Sequence, residues 1–267
     1  MFPLHTKIFP PDPAALRDAI EESLRRVVTA QSQIVVIEDK TYPELRAIRL
    51  SVDNARTSWR PPRPMPATGP IEPALRVEYF EITGRPIMVE RAAIDLVCTA
   101  RDVQIGQGRA ADGNLVLVLQ NAAEGNVGIV ARVAELEALL LAGARAEAGK
   151  RGITVEDLKL DLRSRTSRAL GVQVRVQARK LLLNATVCFS GEVEIDDRLN
   201  ARLSGLSCTA EGALGTLACN LLGPHLERFN HREFSLLALP LGEVELREIK
   251  IAVDDRLAVT ASFGRAA

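Results

Sequence analysis

The chain carries 34 Lys and Arg against 34 Asp and Glu in 267 residues, so its formal net charge is zero and no electrostatic case exists for a nucleic-acid partner. Apolar residues make up 47% but aromatic residues only 4%, so the interior must be built from Leu, Val, Ile and Ala. No apolar run reaches the roughly 18 residues that a membrane-crossing helix needs.

In chain order, Asp12 as an N-cap before Pro13 predicts a helix over 14–30. Leu16, Ile20, Leu24 and Val27 mark its apolar face, and Glu21 faces Arg25 one turn on. Residues 34–37 and 47–52 read as strands about a turn at Tyr42-Pro43. Residues 59–73 are proline-rich and read as an extended surface connection, although Pro61-x-x-Pro64 superficially matches a polyproline recognition motif. Strands are predicted over 75–82, 93–105 and 114–120. Gly106-Gln107-Gly108 reads as a hairpin turn rather than a dinucleotide fingerprint, because a strand and not a helix follows. A short strand over 128–133 leads into a second helix over 134–151, rich in Ala, Leu and Glu and ended by Gly152.

Leu158, Leu160 and Leu162 alternate with charged residues, and Val172, Val174 and Val176 alternate with polar ones. Arg163, Arg165 and Arg168 lie between these runs and read as a solvated turn, with lipid headgroups as the competing partner. Further strands follow through Leu183, Ala185, Val187 and Phe189 and on to Leu203. The third helix spans 214–229. A wheel places Leu214, Leu217, Ala218, Leu221, Leu222, His225 and Phe229 on one face, with Leu226 at its edge and Thr216, Asn220, Gly223 and Glu227 opposite. Pro224 and Gly223 predict a kink or break there. Beyond it the periodicity changes to alternation. Val244 and Leu246 are followed by Ile249, Ile251 and Val253, a one-residue shift that a bulge or bend would explain. Asp254-Asp255-Arg256 then turns the chain into Leu257, Val259, Ala261 and Phe263.

The sequence Leu-Leu-Gly-Pro-His-Leu (221–226), then Leu-Ala-Leu-Pro-Leu-Gly (237–242) and the two closing strands, resembles the end of a tubular lipid-binding domain. That superfamily includes the bactericidal/permeability-increasing protein and the bacterial LmeA-like phospholipid-binding proteins. Glu81-Ile82-Thr83-Gly84-Arg85-Pro86-Ile87 followed by Ile94-Asp95-Leu96 resembles an early strand pair of the LmeA-like group. Pattern and resemblance together imply an α+β fold: a strongly curved antiparallel sheet wrapped around long amphipathic helices, in one lipid-binding-type domain over 1–267. The implied function is non-enzymatic binding or transport of a lipid or other hydrophobic molecule, with peripheral membrane contact. The resemblance carries no fixed ligand-binding side chains. The candidate lipid-binding residues therefore come from the apolar helix faces: Leu214, Leu217, Leu221, Leu222 and Phe229, with Leu16, Ile20 and Leu24. A solid-core interaction or scaffold domain without a small-molecule ligand remains the alternative, because both predict the same alternation.

Nothing in the sequence forms a recognisable catalytic site. His5, His225 and His231 lack metal spacing, Glu192 and Glu194 share a strand face that points to water, and no Gly-x-Ser-x-Gly occurs. No cofactor or metal is expected. Cys98, Cys188, Cys208 and Cys219 show no CxxC pair and sit in apolar segments, so they read as reduced thiols. The start, Met1-Phe2-Pro3-Leu4-His5, has neither part of a signal peptide, so a cytoplasmic location is expected, or a periplasmic one if a leader has been trimmed.

Overall fold

The computed structural model describes residues 1–58, 66–180, 183–230, 232–236 and 244–265, with the side chain of Leu214 outside this set. In chain order the elements are β1 (Phe2–Pro3), α1 (Pro13–Arg25), β2 (Val28–Thr29), β3 (Val35–Thr41), β4 (Glu44–Ser51), β5 (Arg56–Thr57), β6 (Ala67–Val89), β7 (Ala92–Ala110) and β8 (Leu115–Asn121). They continue as β9 (Glu124–Arg132), α2 (Val133–Gly149), β10 (Thr154–Thr166), β11 (Ala169–Lys180), β12 (Leu183–Ile195), β13 (Asn200–Glu211), α3 (Ala213–Phe229), β14 (Glu233–Ser235), β15 (Val244–Val253) and β16 (Arg256–Arg265). The chain packs as two compact units. The first is Met1–Ile129, Leu239–Glu248 and Thr260–Ala267, and the second is Val130–Ala238 and Ile249–Val259.

The first unit is organised by the long antiparallel pair β6–β7. Its sheet runs β15-β16-β9-β7-β6-β4-β3 and is mixed, because β4 lies parallel to β6 with Leu45 opposite Val77 and Ile48 opposite Phe80. α1 packs on β3. Its start follows the sequence: the Asp12 carboxylate accepts from the Ala15 N–H at 2.8 Å. Its end comes at Arg25 rather than residue 30, because Val28–Thr29 pairs with β5 and the Arg25 guanidinium donates to the carbonyls of Ala30 and Ser32. Leu4, Leu16, Ile34, Leu45, Ile48 and Val77 are fully buried in one apolar cluster. Each such side chain contributes about 1.5–3 kcal/mol of transfer free energy.

These facts correct the expected architecture. The fold is mostly β, and its larger sheet is mixed rather than purely antiparallel. The helices have 13, 17 and 17 residues and lie on or beside sheets, so no sheet wraps around long helices. Alternation says which face of a strand is buried but not which neighbour it pairs with, so the parallel β4–β6 ladder was invisible. The proline-rich connection is also shortened. Residues 59–65, including Pro61 and Pro64, lie outside the described residues, and Ala67–Pro73 already belong to β6. Gly106 and Gly108 sit inside β7, not in a turn. A Cβ on either would fall within 2.7 Å of the Ile71 side chain, so the glycines make room for it. The turn itself carries Gly113 at φ +83°.

The second unit is a five-stranded antiparallel sheet, β10-β11-β12-β13-β14, with α2 on β10 and α3 on β13 and β12. α2 blocks the free edge of β10. Its Glu137 carboxylate accepts from the Leu160 N–H at 2.9 Å, and Arg145 donates to the carbonyls of Val155 and Glu156 at 2.9 and 2.7 Å. An edge strand whose polar groups are engaged in this way resists pairing with another chain. α1 does the same in the first unit, where Glu21 accepts from the Val35 N–H at 3.3 Å. Burial pushes the Glu21 carboxyl up, but hydrogen bonds from Arg25 and from the backbone of Val35 and Ile34 together hold it below the usual carboxylate range.

Candidate functional site

Register makes the faces of the second sheet explicit. Leu158 pairs with Val176, Leu160 with Val174 and Leu162 with Val172. Val174 then pairs with Phe189 and Val176 with Val187, and these continue to Cys208 and Ala210. Strand period two therefore puts apolar side chains on one face across β10–β13. The opposite face is polar. It carries Asp161 paired with Arg163 at 2.6 Å, Gln173 against the Cys188 sulfur at 3.1 Å, and Ser190 against Ser207 at 2.7 Å.

α3 lies on the apolar face at β12–β13. Gly212, at φ +85°, turns the chain from β13 into the helix, and a Cβ there would meet the Asn184 carbonyl at 2.8 Å. Gly215 is buried. A Cβ on it would stand 2.9 Å from the Ala210 Cβ and 3.5 Å from the Ala185 Cβ, so the helix backbone rests almost directly on the sheet. A disulfide between Cys208 on β13 and Cys219 on α3 fixes this contact, with their Cα atoms 5.3 Å apart. This corrects the expectation of four reduced thiols. Spacing in the sequence is uninformative here, because the turn at Gly212 folds the helix back over its own preceding strand. Cys98 and Cys188 are free, and burial pushes the Cys98 thiol up.

The helix is therefore turned so that small residues, not the leucine stripe, meet the sheet. Gly215, Ala218, Cys219 and Leu226 are the more buried positions. Leu217 and Leu221 stand 57% and 66% exposed, and Leu222 and Phe229 are also exposed. Of the residues expected to bind lipid, the structure brings Leu217, Leu221, Leu222 and Phe229 together on α3, while the side chain of Leu214 lies outside the described residues. Leu16, Ile20 and Leu24 lie on α1 in the first unit, the first two buried in its core and Leu24 packed against it. The helix runs unbroken through Pro224 to Phe229. His225 is exposed, and His231 is outside the described residues.

Between the helices the apolar sheet face is left half-covered. α2 lies along β10 and α3 over β12–β13, with β11 between them. Val155, Leu158 and Ile195 are buried, but Leu160, Val172, Val174, Val176, Val187 and Phe189 remain partly exposed. A Cβ on Gly191 would fall 2.6 Å from Leu206 Cδ2, so that glycine keeps room on this face for Leu206. Among the described residues the main cluster of buried apolar side chains lies in the first unit, and the second buries Leu139, Val155, Leu158, Ala169, Ile195 and Leu199 apart from it. Sequence alternation alone does not distinguish these half-exposed strand residues from ordinary strand positions. The signal that could have singled them out is the apolar run shared by four consecutive strands.

Two recesses have charged side chains in their lining. One, of about 410 Å³, lies where the last turn of α2 meets β10, beside Arg145, Ile153 and Val155. The other, of about 200 Å³ in the first unit, is lined by Lys40, Glu44, Leu45, Arg76, Glu78 and Asp102. There Lys40 and Glu78 pair at 2.6 Å. Among the described residues no group of His, Cys, Asp or Glu is placed to hold a metal ion, and no helix is long and apolar enough to cross a membrane. The basic turn is neutralised: Arg163 pairs with Asp161, Arg165 with Glu192 and Arg168 with Asp197. No protein-family model, curated protein or solved structure matches this chain.

Proposed function

We propose that the second unit is a non-enzymatic binding or transport module for a lipid or another hydrophobic molecule, held on the apolar face of β10–β13 beside α3. One observation carries the reading. This face is continuous over four strands, yet Val172, Val174, Val176 and Phe189 are only partly buried, while Val155, Leu158 and Ile195 are buried around them. Apolar surface left in water forgoes about 25 cal/mol per Å², so an acyl chain laid along β11 stabilises both itself and the unit. Among the described residues, the side chains on this face of β10–β13 are predominantly apolar, which supports binding over turnover. The alternative, a solid interaction module, describes the first unit with its filled core better than the second. The disulfide favours an oxidising compartment over the cytoplasm expected from the sequence.

The reading is tested with the purified protein by mass spectrometry of an organic extract and by titration with a fluorescent fatty acid. Saturable binding is expected, weakened about tenfold or more by Val174→Asp, which places a charge at the centre of the face. An extract free of lipid together with no saturable binding would leave the face as an ordinary, poorly covered sheet.

A further inference from the structure

The exposed side of α3 has no role in the groove, because the helix meets the sheet through Gly215, Ala218 and Cys219. It presents Leu217 and Leu221, and Arg228 falls on the same side by helical spacing. Beyond the helix end, the Arg232 guanidinium lies over two exposed rings, 5.4 Å from the Phe229 centroid and 5.6 Å from that of Phe234. We propose that this face, the outer side of α3 with Phe229, Arg232 and Phe234, docks on the surface of a bilayer containing anionic phospholipid.

The charges select this occupant. Among the described residues no carboxylate is ion-paired to Arg228 or Arg232, and the nearby Glu233 is engaged by Arg202 at 2.7 Å. A guanidinium held over phenyl rings at cation–π distance still has N–H donors to offer phosphate oxygens. Leucine and phenylalanine beside such cations match a helix lying in the interface plane, its apolar side in the acyl boundary and its arginines at the headgroups. A stable contact with a second protein needs about 20–30 residues a side, far more than this face supplies. A bilayer needs no matching shape. The inference deepens the carrier reading and rests on it for its purpose, since a lipid carrier must meet the membrane from which it loads.

The test is flotation of the full chain with vesicles of phosphatidylcholine alone and of phosphatidylcholine mixed with phosphatidylglycerol. Wild type is expected to float with the anionic vesicles and much less with the neutral ones, and added salt should release it. The Leu217→Asp/Leu221→Asp and Arg228→Gln/Arg232→Gln variants should each lose about tenfold or more of this binding. These positions are exposed, so the variants should keep the wild-type melting temperature. Failure of wild type to float, or equal flotation of the leucine variant, overturns the proposal. So does a wild-type dimer that the leucine variant abolishes without any vesicle binding, which would assign the face to a second copy. Fatty-acid binding by wild type is measured in parallel without vesicles: flotation without it leaves the docking face standing and removes the carrier reading.

Discussion

Tyr42 ties the start of the chain to the β3–β4 turn, its hydroxyl donating to the Pro10 carbonyl at 2.6 Å. Burial, helped by the charge of Asp12, pushes its phenol up to about 12. Ionisation is thus harder in the folded state than in the unfolded chain, where tyrosine titrates near 10. The sign follows directly. The contribution is complete below the unfolded value and is lost as the pH rises through the folded one. Stability should therefore fall over this alkaline range in wild type, and Tyr42→Phe should flatten that part of the profile. Denaturant melts of the two proteins at stepped alkaline pH make the comparison, and identical profiles would mean that Tyr42 does not carry the dependence.

At the scale of elements, α3 is the informative case. Its hold on the sheet consists of small residues at close range, a few half-buried side chains and one covalent link. Most of its large apolar side chains face away, so little hydrophobic burial secures it. The disulfide closes a loop over a sequence separation of 11, a length for which loop entropy is worth about 3 kcal/mol. Reduction, or Cys219→Ser, should therefore speed amide hydrogen exchange throughout α3 while leaving α1 unchanged. Alkylation of the denatured protein without reductant should label Cys98 and Cys188 only. Labelling of all four thiols would restore the reduced reading. α2 is held differently, through Glu137 and Arg145 on the β10 edge, and carries no such cross-link.

Across the whole molecule the two units divide apolar burial unequally. The first buries Leu16 and Ile20 in a filled cluster, whereas the second leaves its sheet face partly open and its helix leucines in water. Truncation reads this contrast. Leu16→Ala removes a close-packed side chain and should cost about 2–5 kcal/mol. Leu217→Ala removes an exposed one and should change stability by no more than about 0.5 kcal/mol. Denaturant unfolding of both variants measures the pair. A large loss at Leu217 would mean that α3 buries its leucine stripe after all. In β15 the buried positions shift parity from Val244 and Leu246 to Ile251, the shift visible in the sequence.

The sequence by itself determined the helix starts and the alternation of strands such as β4, β10 and β11, though not the full length of β6 and β7. These depend on local causes: Asp12 capping the backbone of α1, Gly152 in a left-handed conformation after α2, and period two in Leu158, Leu160 and Leu162. Tertiary structure decided everything that depends on a partner distant in the chain. It placed β4 parallel to β6, which no pattern within either strand encodes. It joined Cys208 to Cys219 by folding α3 back on β13. It also chose which side of α3 meets the sheet. A helical wheel ranks faces by hydrophobicity, and the leucine face ranks highest. The sheet at Ala185 and Ala210 admits only the closest backbone approach, which Gly215 provides and leucine does not, so the leucines were left in water.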